Sequence, residues 1–418
     1  MNIKIAPKKL SGSISGIDSK SHAHRLLIAS FLANLQNPSQ KCLVNIHNSS
    51  MDISATKRAL EALLARKNII NCGESGSTLR FLFPIAAALN TISKTQEKII
   101  FTGEGKLPLR PLTPLDDQLA SHGCSVVKFA GNSKKICEVS GKLTGGSFSL
   151  PGNISSQFVT GLLFALPLLH ENSEIRITSE MQSKSYIDLT LDVLKSFSIE
   201  TEKTEFGYKI LGNQKYICPS TVLEPEKDWS QASFWLVANA LGSDIEITNL
   251  DNNSVQGDKS IIRLINLFRE NRPDDFSLCN NEQKYIKQFH QIDAGNIPDL
   301  VPVLSVLAAF SPGATTVIKN AARLRIKESD RIKTTCAMIS GLGGEIKELP
   351  DGMIIKGKQK LKGGITDGAN DHRIIMAAAI AAVCTDSPVK ILGAEAVNKS
   401  YPDFFKDYAA LGGSVTII

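Results

Sequence analysis

Lys20, Ser21 and Arg25 stand in SKSHAHR, directly ahead of a long apolar run. The arrangement returns along the chain. Ser75, Gly76, Ser77 and Arg80 precede FLFPIAAAL, and Ser155, Ser156 and Gln157 precede FVTGLLFALPLL. Asp299 precedes LVPVLSVLAAF, and Asp371, His372 and Arg373 precede IIMAAAIAAVC. A helix N-terminus carries partial positive charge and unpaired N–H groups, which suit phosphate and carboxylate. Arginine adds a two-pronged fork for the same anions. Several such helix ends brought together would make an anion-selective site.

Taken singly, each group has a plainer reading. Ser155, Ser156 and Asp371 suit ordinary N-caps, Lys20 and Arg25 a solvated turn, and Gly76 a tight turn. His22 and His24 are two residues apart, share no helix face, and read as non-ligands. Asp371, His372 and Arg373 are adjacent, so they cannot orient one another as a catalytic triad does. Further basic motifs lie outside the apolar runs: Arg110 in LPLRPLTPL, the cluster Lys327, Glu328, Asp330 and Arg331 in IKESDR, and Lys399 in NKSYPDFF. Alone, IKESDR reads as a solvated helix start. No phosphate-binding P-loop motif is present, and no Gly-x-Gly-x-x-Gly follows a strand, so nucleotide-driven chemistry is not indicated.

The elements that must position these groups form a repeat. Apolar helices are expected to begin near Ser19, Glu74, Ser155, Asp228, Asn296 and Asn370, each opening on a residue type suited to a helix start. A helix apolar nearly all round is a buried helix. A second element recurs between them: a half-apolar helix, a glycine turn, then a strand. Examples start at Leu115, Thr334 and Phe404, with Gly123, Gly343 and Gly412 at the expected C-caps. A fourth, from Leu189, carries Ser198 in the glycine position. The expected fold class is therefore α/β, with about three such units in each half and two domains of similar build. The link between halves is expected near Glu224-Pro225-Glu226-Lys227. One larger α/β domain with insertions is the alternative.

Composition narrows the function classes. At 418 residues the chain has room for two or three domains. Hydrophobic residues at 42% and charged residues at 21% exclude a disordered chain, a collagen and a disulfide scaffold. Lys plus Arg is 47 and Asp plus Glu 41; this bias is too weak to indicate nucleic acid or a membrane as partner. The eight cysteines include no CxxC pair, so no zinc or redox motif is expected, and they read as buried thiols in a reducing cytosol. The longest apolar stretch, 300–318, is broken by Pro302 and by Ser311-Pro312-Gly313, which argues against a membrane helix, and MNIKIAPKKL lacks the apolar core of a signal peptide.

SKSHAHR, SGSTLR, LRPLTPL, SSQFVTGLL, SKSYIDLTL, IPDLVP, KESDR, NDHRIIMA and KSYPDFF occur in this order from Lys20 to Phe405. In these motifs the sequence resembles the enolpyruvyl transferases, and among them the 5-enolpyruvylshikimate-3-phosphate synthases. The resemblance implies two domains, each of three βαβαββ repeats around buried helices, closing on the substrates like a clamp. It implies residues 1–18 with 227–418 as one domain, 19–226 as the other, and the active site in the cleft between them. The implied reaction moves the enolpyruvyl group of phosphoenolpyruvate to the 5-hydroxyl of shikimate 3-phosphate by addition and elimination, releasing phosphate. No metal or organic cofactor is implied, and the expected setting is a cytoplasmic monomer.

The resemblance also implies residue roles. Lys20, Ser21, Arg25, Ser155, Ser156, Gln157, Ser183, Tyr186, Asp299 and Lys327 fall where shikimate 3-phosphate is held. Lys20, Gly76, Arg110, Gln157, Arg331, Arg373 and Lys399 fall where phosphoenolpyruvate is held. Asp299 is the expected general base, and Glu328, with Lys20 as partner, the expected proton-transfer group at the methylene carbon. Some positions depart from the family pattern. Few residues separate Leu64 from Asn71, so a truncated second repeat is expected; Arg323 stands where some members have Asn; Gly161 and Trp229 are expected to alter packing only. No pattern is read in 266–291. Two rival readings differ in class. The sister transferase acting on UDP-N-acetylglucosamine carries a Cys where this chain has Gly105. A non-catalytic repeat protein binding an anionic polymer would need a basic aromatic surface that the sequence lacks.

Overall fold

Twelve α-helices of two kinds alternate along the described chain. In order they are α1 (Lys20–Gln36), α2 (Met51–Leu64), α3 (Gly76–Ile92), α4 (Leu115–Ser121), α5 (Ser156–Ala165) and α6 (Lys184–Ser196), then α7 (Trp229–Ala240), α8 (Ile261–Glu270), α9 (Val301–Ala309), α10 (Arg331–Gly341), α11 (His372–Ala381) and α12 (Phe404–Ala410). The odd-numbered helices are the apolar ones and are buried over most of their surface. The even-numbered ones keep a wet face. The structure is a computed structural model that describes residues 1–39, 41–93, 97–129, 133–270 and 288–418.

The chain divides into two compact units, Met1–Ile17 with Lys227–Ile418, and Asp18–Glu226. Each has its own aliphatic core. One repeat recurs in both: strand, buried helix, strand, half-buried helix, then two more strands. Around α3 and α4 the four strands lie in the order Ile69–Asn71, Ile99–Thr102, Lys135–Gly141, Cys124–Lys128, the first pair parallel and the others antiparallel. The sheets beside α5/α6 and α9/α10 follow the same order and directions. Beside α11/α12 the last place in the motif is filled from the other end of the chain: Ile3–Ala6 inserts between Val389–Leu392 and Ser414–Ile417. The two remaining sheets are parallel pairs, Ser11–Ser15 with Asp244–Thr248 and Leu43–Val44 with Val222–Leu223.

Helix ends follow from local residue choice. Ser19, Ser75 and Ser155 accept N–H bonds from His22, Thr78 and Gln157, and Asp228 and Asp371 from Gln231 and Arg373. Two expected openings need correction. Ser75, not Glu74, caps α3. Leu300 holds the cap position of α9 without a side-chain bond, so neither Asn296 nor Asp299 caps that helix. Gly123, Gly343 and Gly412 take φ of 90°, 86° and 85°, and Ser198 adopts 63° in the same role.

The expected truncation also moves. The α3/α4 repeat has all four strands. The shortening falls in the α1/α2 repeat, where α2 ends at Leu64, Arg66 turns at φ 50°, and the chain is already in the next repeat's first strand at Ile69. The cysteine reading is corrected too. Cys42 and Cys218 form a disulfide, while Cys72, Cys124, Cys137 and Cys336 are buried thiols and Cys384 is half-buried. The pairing joins residues far apart in sequence, which spacing alone does not reveal. Cys279 and most of 266–291 lie outside the described residues.

Candidate active site

In the unit spanning 18–226, the predicted residues collect at the N-terminal ends of α1, α3, α5 and α6. Arg25, buried one turn into α1, donates to Thr190 Oγ1 at 2.8 Å, to the Ser21 carbonyl at 2.6 Å and to the Tyr186 carbonyl at 2.8 Å, with its carbon 5.3 Å above the Phe81 ring. Burial opposes the charge on this guanidinium, pressing its pKa down, and the oxygen acceptors offset that cost. The solvated-turn reading is therefore wrong for Arg25. Lys20 opens α1, and its ammonium meets Asp52 at 2.9 Å. Ser183 is buried and left-handed, at φ 53°, and its carbonyl accepts the Tyr186 N–H at 3.1 Å. Such a conformation is costly for a residue with a Cβ.

Gly76 is the first residue of α3. A Cβ there would lie 2.8 Å from Arg110 Nη1 and 3.0 Å from Arg80 Nη1. The glycine thus lets two guanidiniums crowd a helix N-terminus, a strongly anion-attracting arrangement. Arg80 bonds Gln157 Oε1 at 2.8 Å and the Pro111 carbonyl at 2.9 Å, and Gln157 Nε2 donates to Ser77 at 2.9 Å. Ser155 caps α5, Ser156 begins it buried, and Gln157 extends from its first turn. α5 and α3 approach closely because residue 161 is glycine: a Cβ there would meet the Arg80 carbonyl at 2.4 Å.

In the other unit, Arg331 organises the cluster. It is 2% exposed and touches three carboxylates: Asp371 at 2.8 Å, Asp299 at 2.6 Å and Glu328 at 2.7 Å. These contacts outweigh burial and hold its proton well above the ordinary arginine value. Arg373 reaches Asp299 at 3.3 Å and the Ser230 carbonyl at 3.1 Å. Asp299 is thereby gripped from α10 and α11 while its side chain stays 21% exposed. Lys327 is half-buried. Crowding by protein pushes its pKa down to about 7, with Arg323 and Arg331 adding to the effect and Asp299 and Glu328 opposing it. Lys399 donates to the Asn370 carbonyl at 2.8 Å, and Ala369 and Asn370 are both left-handed, at φ 53° and 54°. Arg323 is buried against the Gly295 carbonyl at 2.6 Å.

The predicted residues therefore form two clusters, one in each unit. Lys20, Ser21, Arg25, Gly76, Arg110, Ser155, Ser156, Gln157, Ser183 and Tyr186 belong to the first unit. Asp299, Lys327, Glu328, Arg331, Arg373 and Lys399 belong to the second. The buried helices also differ between units. Those of the first are capped by Ser19, Ser75 and Ser155; those of the second carry Asp228, Asp299 and Asp371 at their starts. Neutral caps leave the positive helix end available to an anionic ligand, while carboxylates held by arginine suit proton transfer. Asp52 was not singled out from the sequence, and Arg80 and Asp371, named there at helix starts, were given no substrate-holding or catalytic role. Asp371 accepts Arg331, Ser329 and a backbone N–H together, so it is more than the plain cap its position suggested.

Residues 40–408 match the family described as EPSP synthase (3-phosphoshikimate 1-carboxyvinyltransferase). The chain belongs to the EPSP synthase family. It is 41% identical to the 3-phosphoshikimate 1-carboxyvinyltransferase of Clostridium novyi, across 99% of this chain and 98% of that one. It is 40% identical to the enzyme of that name from Clostridium acetobutylicum, with the same coverage. In fold it is similar to EPSP synthase from Acinetobacter baumannii, at a TM-score of 0.73 and 21% identity over the whole of both chains. Membership accounts for the repeated sheets of both units. At Gly105 φ is 56° and a Cβ would lie 2.4 Å from Glu74 Oε2, so Glu74 occupies the space a side chain would take there. No helix among the described residues is long and apolar enough to cross a membrane.

Proposed function

We propose that the chain transfers the enolpyruvyl group of phosphoenolpyruvate to the 5-hydroxyl of shikimate 3-phosphate, releasing phosphate, and that the two clusters serve this one reaction. Lys20, Ser21, Arg25, Ser155, Ser156, Gln157, Ser183, Tyr186 and Lys327 hold shikimate 3-phosphate. Lys20, Gly76, Arg110, Gln157, Arg331, Arg373 and Lys399 hold phosphoenolpyruvate. The observation that carries the mechanism is Asp299, fixed between Arg331 and Arg373 yet partly exposed. A hydroxyl must shed its proton as it attacks, and a positioned carboxylate takes it.

In the addition step the shikimate 5-oxygen bonds to C2 of phosphoenolpyruvate, its proton passes to Asp299, and C3 gains a proton from Glu328 partnered by Lys20. In the elimination step C3 returns a proton to the Glu328 carboxylate, the bond from C2 to the phosphate oxygen breaks with its electron pair passing to that oxygen, and phosphate leaves with the proton that Asp299 had taken up. The guanidiniums stabilise the charge that collects on that phosphate. Bringing both substrates together supplies much of the remaining acceleration.

The reading includes a cytoplasmic, monomeric enzyme without cofactor. The test is phosphate release by the purified chain given phosphoenolpyruvate with shikimate 3-phosphate, and in parallel with UDP-N-acetylglucosamine. Release with the shikimate ester alone is expected. Release only with the UDP-sugar, or with neither, overturns the assignment.

A further inference from the structure

Asp258 lies outside every role assigned above, yet it is tied to the base. It sits on the short 3-10 turn Gly257–Ser260 ahead of α8 and is 3% exposed. Ser230, in the first turn of α7, donates its hydroxyl to Asp258 Oδ2. The carbonyl of the same serine accepts Arg373 Nη1 at 3.1 Å, and Arg373 Nη2 reaches Asp299 Oδ2 at 3.3 Å. A continuous chain of contacts thus runs from a buried carboxyl through Ser230 and Arg373 to Asp299. Among the described residues, Asp258 Oδ1, both ends of the Gln231 amide and Arg373 Nε are buried without a hydrogen bond. Polar groups so placed are rare, because each gives up its water without replacement.

We propose that Asp258 is a positioning residue that sets the basicity of Asp299, acting through Ser230 and Arg373. The proposal rests on reading Asp299 as the general base. Asp299 and Asp228 oppose a charge on Asp258; Arg373 and the Ser230 hydroxyl favour it; Lys259 turns outward to the Asn252 carbonyl. Burial dominates and, with the two carboxylates, pushes the Asp258 carboxyl up to about 7. A charged Asp258 competes with Asp299 for Arg373 and adds negative potential at Asp299, which makes it the stronger base. A neutral Asp258 relaxes both effects. Turnover in the native chain should therefore rise through a limb near neutrality that belongs to Asp258.

The test is kcat against pH for the full chain and for Asp258→Asn, which keeps the shape and removes the titration. The ratio of native to variant turnover is expected to grow about tenfold from about pH 6 to about pH 8, the effect of one pKa unit on the base. A ratio flat in pH overturns the proposal, since a merely structural loss lowers turnover equally throughout. If Asp258→Asn does not fold, Ser230→Ala decides. It keeps both carboxyls and the carbonyl that holds Arg373 but removes a donor that favours charged Asp258, so the limb should move to higher pH; an unmoved limb overturns the proposal. A third measurement needs no substrate. The 13C carboxyl signal of Asp258 is followed against pH in the native chain and in Asp299→Asn. Its midpoint should fall when the Asp299 charge is removed, and an unchanged midpoint overturns the coupling. If phosphate release itself is absent, the functional reading fails while this titration still decides the coupling.

Discussion

In the proposed reaction, Asp299 is the residue on which the proton chemistry turns. Its carboxylate is held by two guanidiniums rather than by a helix N-terminus, and these contacts orient it. Replacing it by alanine removes the proton acceptor and leaves Arg331 and Arg373 one carboxylate short. Turnover of Asp299→Ala is expected to fall by about 10²–10⁴, the usual reach of a general base. The two arginines, relieved of a competitor, should hold phosphoenolpyruvate at least as tightly. Steady-state kinetics reads both effects, and near-native kcat would remove Asp299 from its role. Gly76 makes the opposite case, a residue that matters by having no side chain. In Gly76→Ala the new methyl meets Arg110 and Arg80 at about van der Waals overlap, and both guanidiniums must retreat. The expected result is an increase of about tenfold in KM for phosphoenolpyruvate, equivalent to about 1.4 kcal/mol of lost binding. KM for shikimate 3-phosphate should change little. Equal increases for both would mean that α3 itself had been displaced.

At the scale of elements, the sequence revealed what periodicity can encode. Six apolar helices, their polar starts and the glycine stops at 123, 343 and 412 were legible because burial and capping act on neighbouring residues. What escaped depends on residues remote in sequence. Asp52 is an ordinary acidic residue in the first turn of α2, and only the packing of α2 beside α1 gives it Lys20. Asp371 looked like a cap because it is one; its grip on Arg331 needs α10 and α11 side by side. The start of α9 was expected near Asn296 but falls at Leu300 without a side-chain cap, and the neighbouring Asp299 is held by Arg331 and Arg373. Gly161 is similar. Its type suggested only altered packing, while the structure puts backbone where its Cβ would go. Gly161→Ala should force α5 from α3 at a cost of about 1–3 kcal/mol, the usual range for overpacking. It should also disturb the Arg80–Gln157 bond. A urea midpoint lowered without a change of m-value is expected, and an unchanged midpoint would show that the two helices can part freely.

At the scale of the whole molecule, each unit is tied at its own ends. Strand Ile3–Ala6 completes the sheet built by the C-terminal segment of one unit. In the other, Cys42 and Cys218 bind the start of the unit to its end across 176 residues of sequence. Closing so long a loop stabilises by up to about 5 kcal/mol in the chain-entropy account. A reductant should therefore lower the urea midpoint of this unit, with Cys42→Ser matching the reduced protein. If alkylation under denaturing conditions counts eight thiols and the reductant changes nothing, the bond does not form, and the reducing-cytosol reading of all the cysteines stands.

The same unit carries a built-in sensitivity to acid. His22 and His24 both lie on α1. Burial, reinforced by Arg25, lowers the His22 pKa from 6.5 to about 4, and burial with Lys20 and Arg25 holds His24 well below its ordinary value. His22 Nδ1 accepts the Glu226 N–H at 3.0 Å, and His24 Nδ1 pairs with Thr56 at 2.7 Å. Protonating His22 at Nδ1 therefore replaces an acceptor by a donor facing an N–H, at the last residue of the unit. Because the folded pKa lies below the unfolded one, this stability is complete above 6.5 and is lost as pH falls toward 4. For His22 alone the loss is about 3 kcal/mol over that window. The expected measurement is a denaturation midpoint that declines from about pH 6.5 downward, before most carboxylates titrate. Replacing His22 by Gln, neutral at every pH, should flatten the upper part of that decline. A decline of undiminished size in His22→Gln would assign the acid sensitivity elsewhere, with His24 the next group to replace.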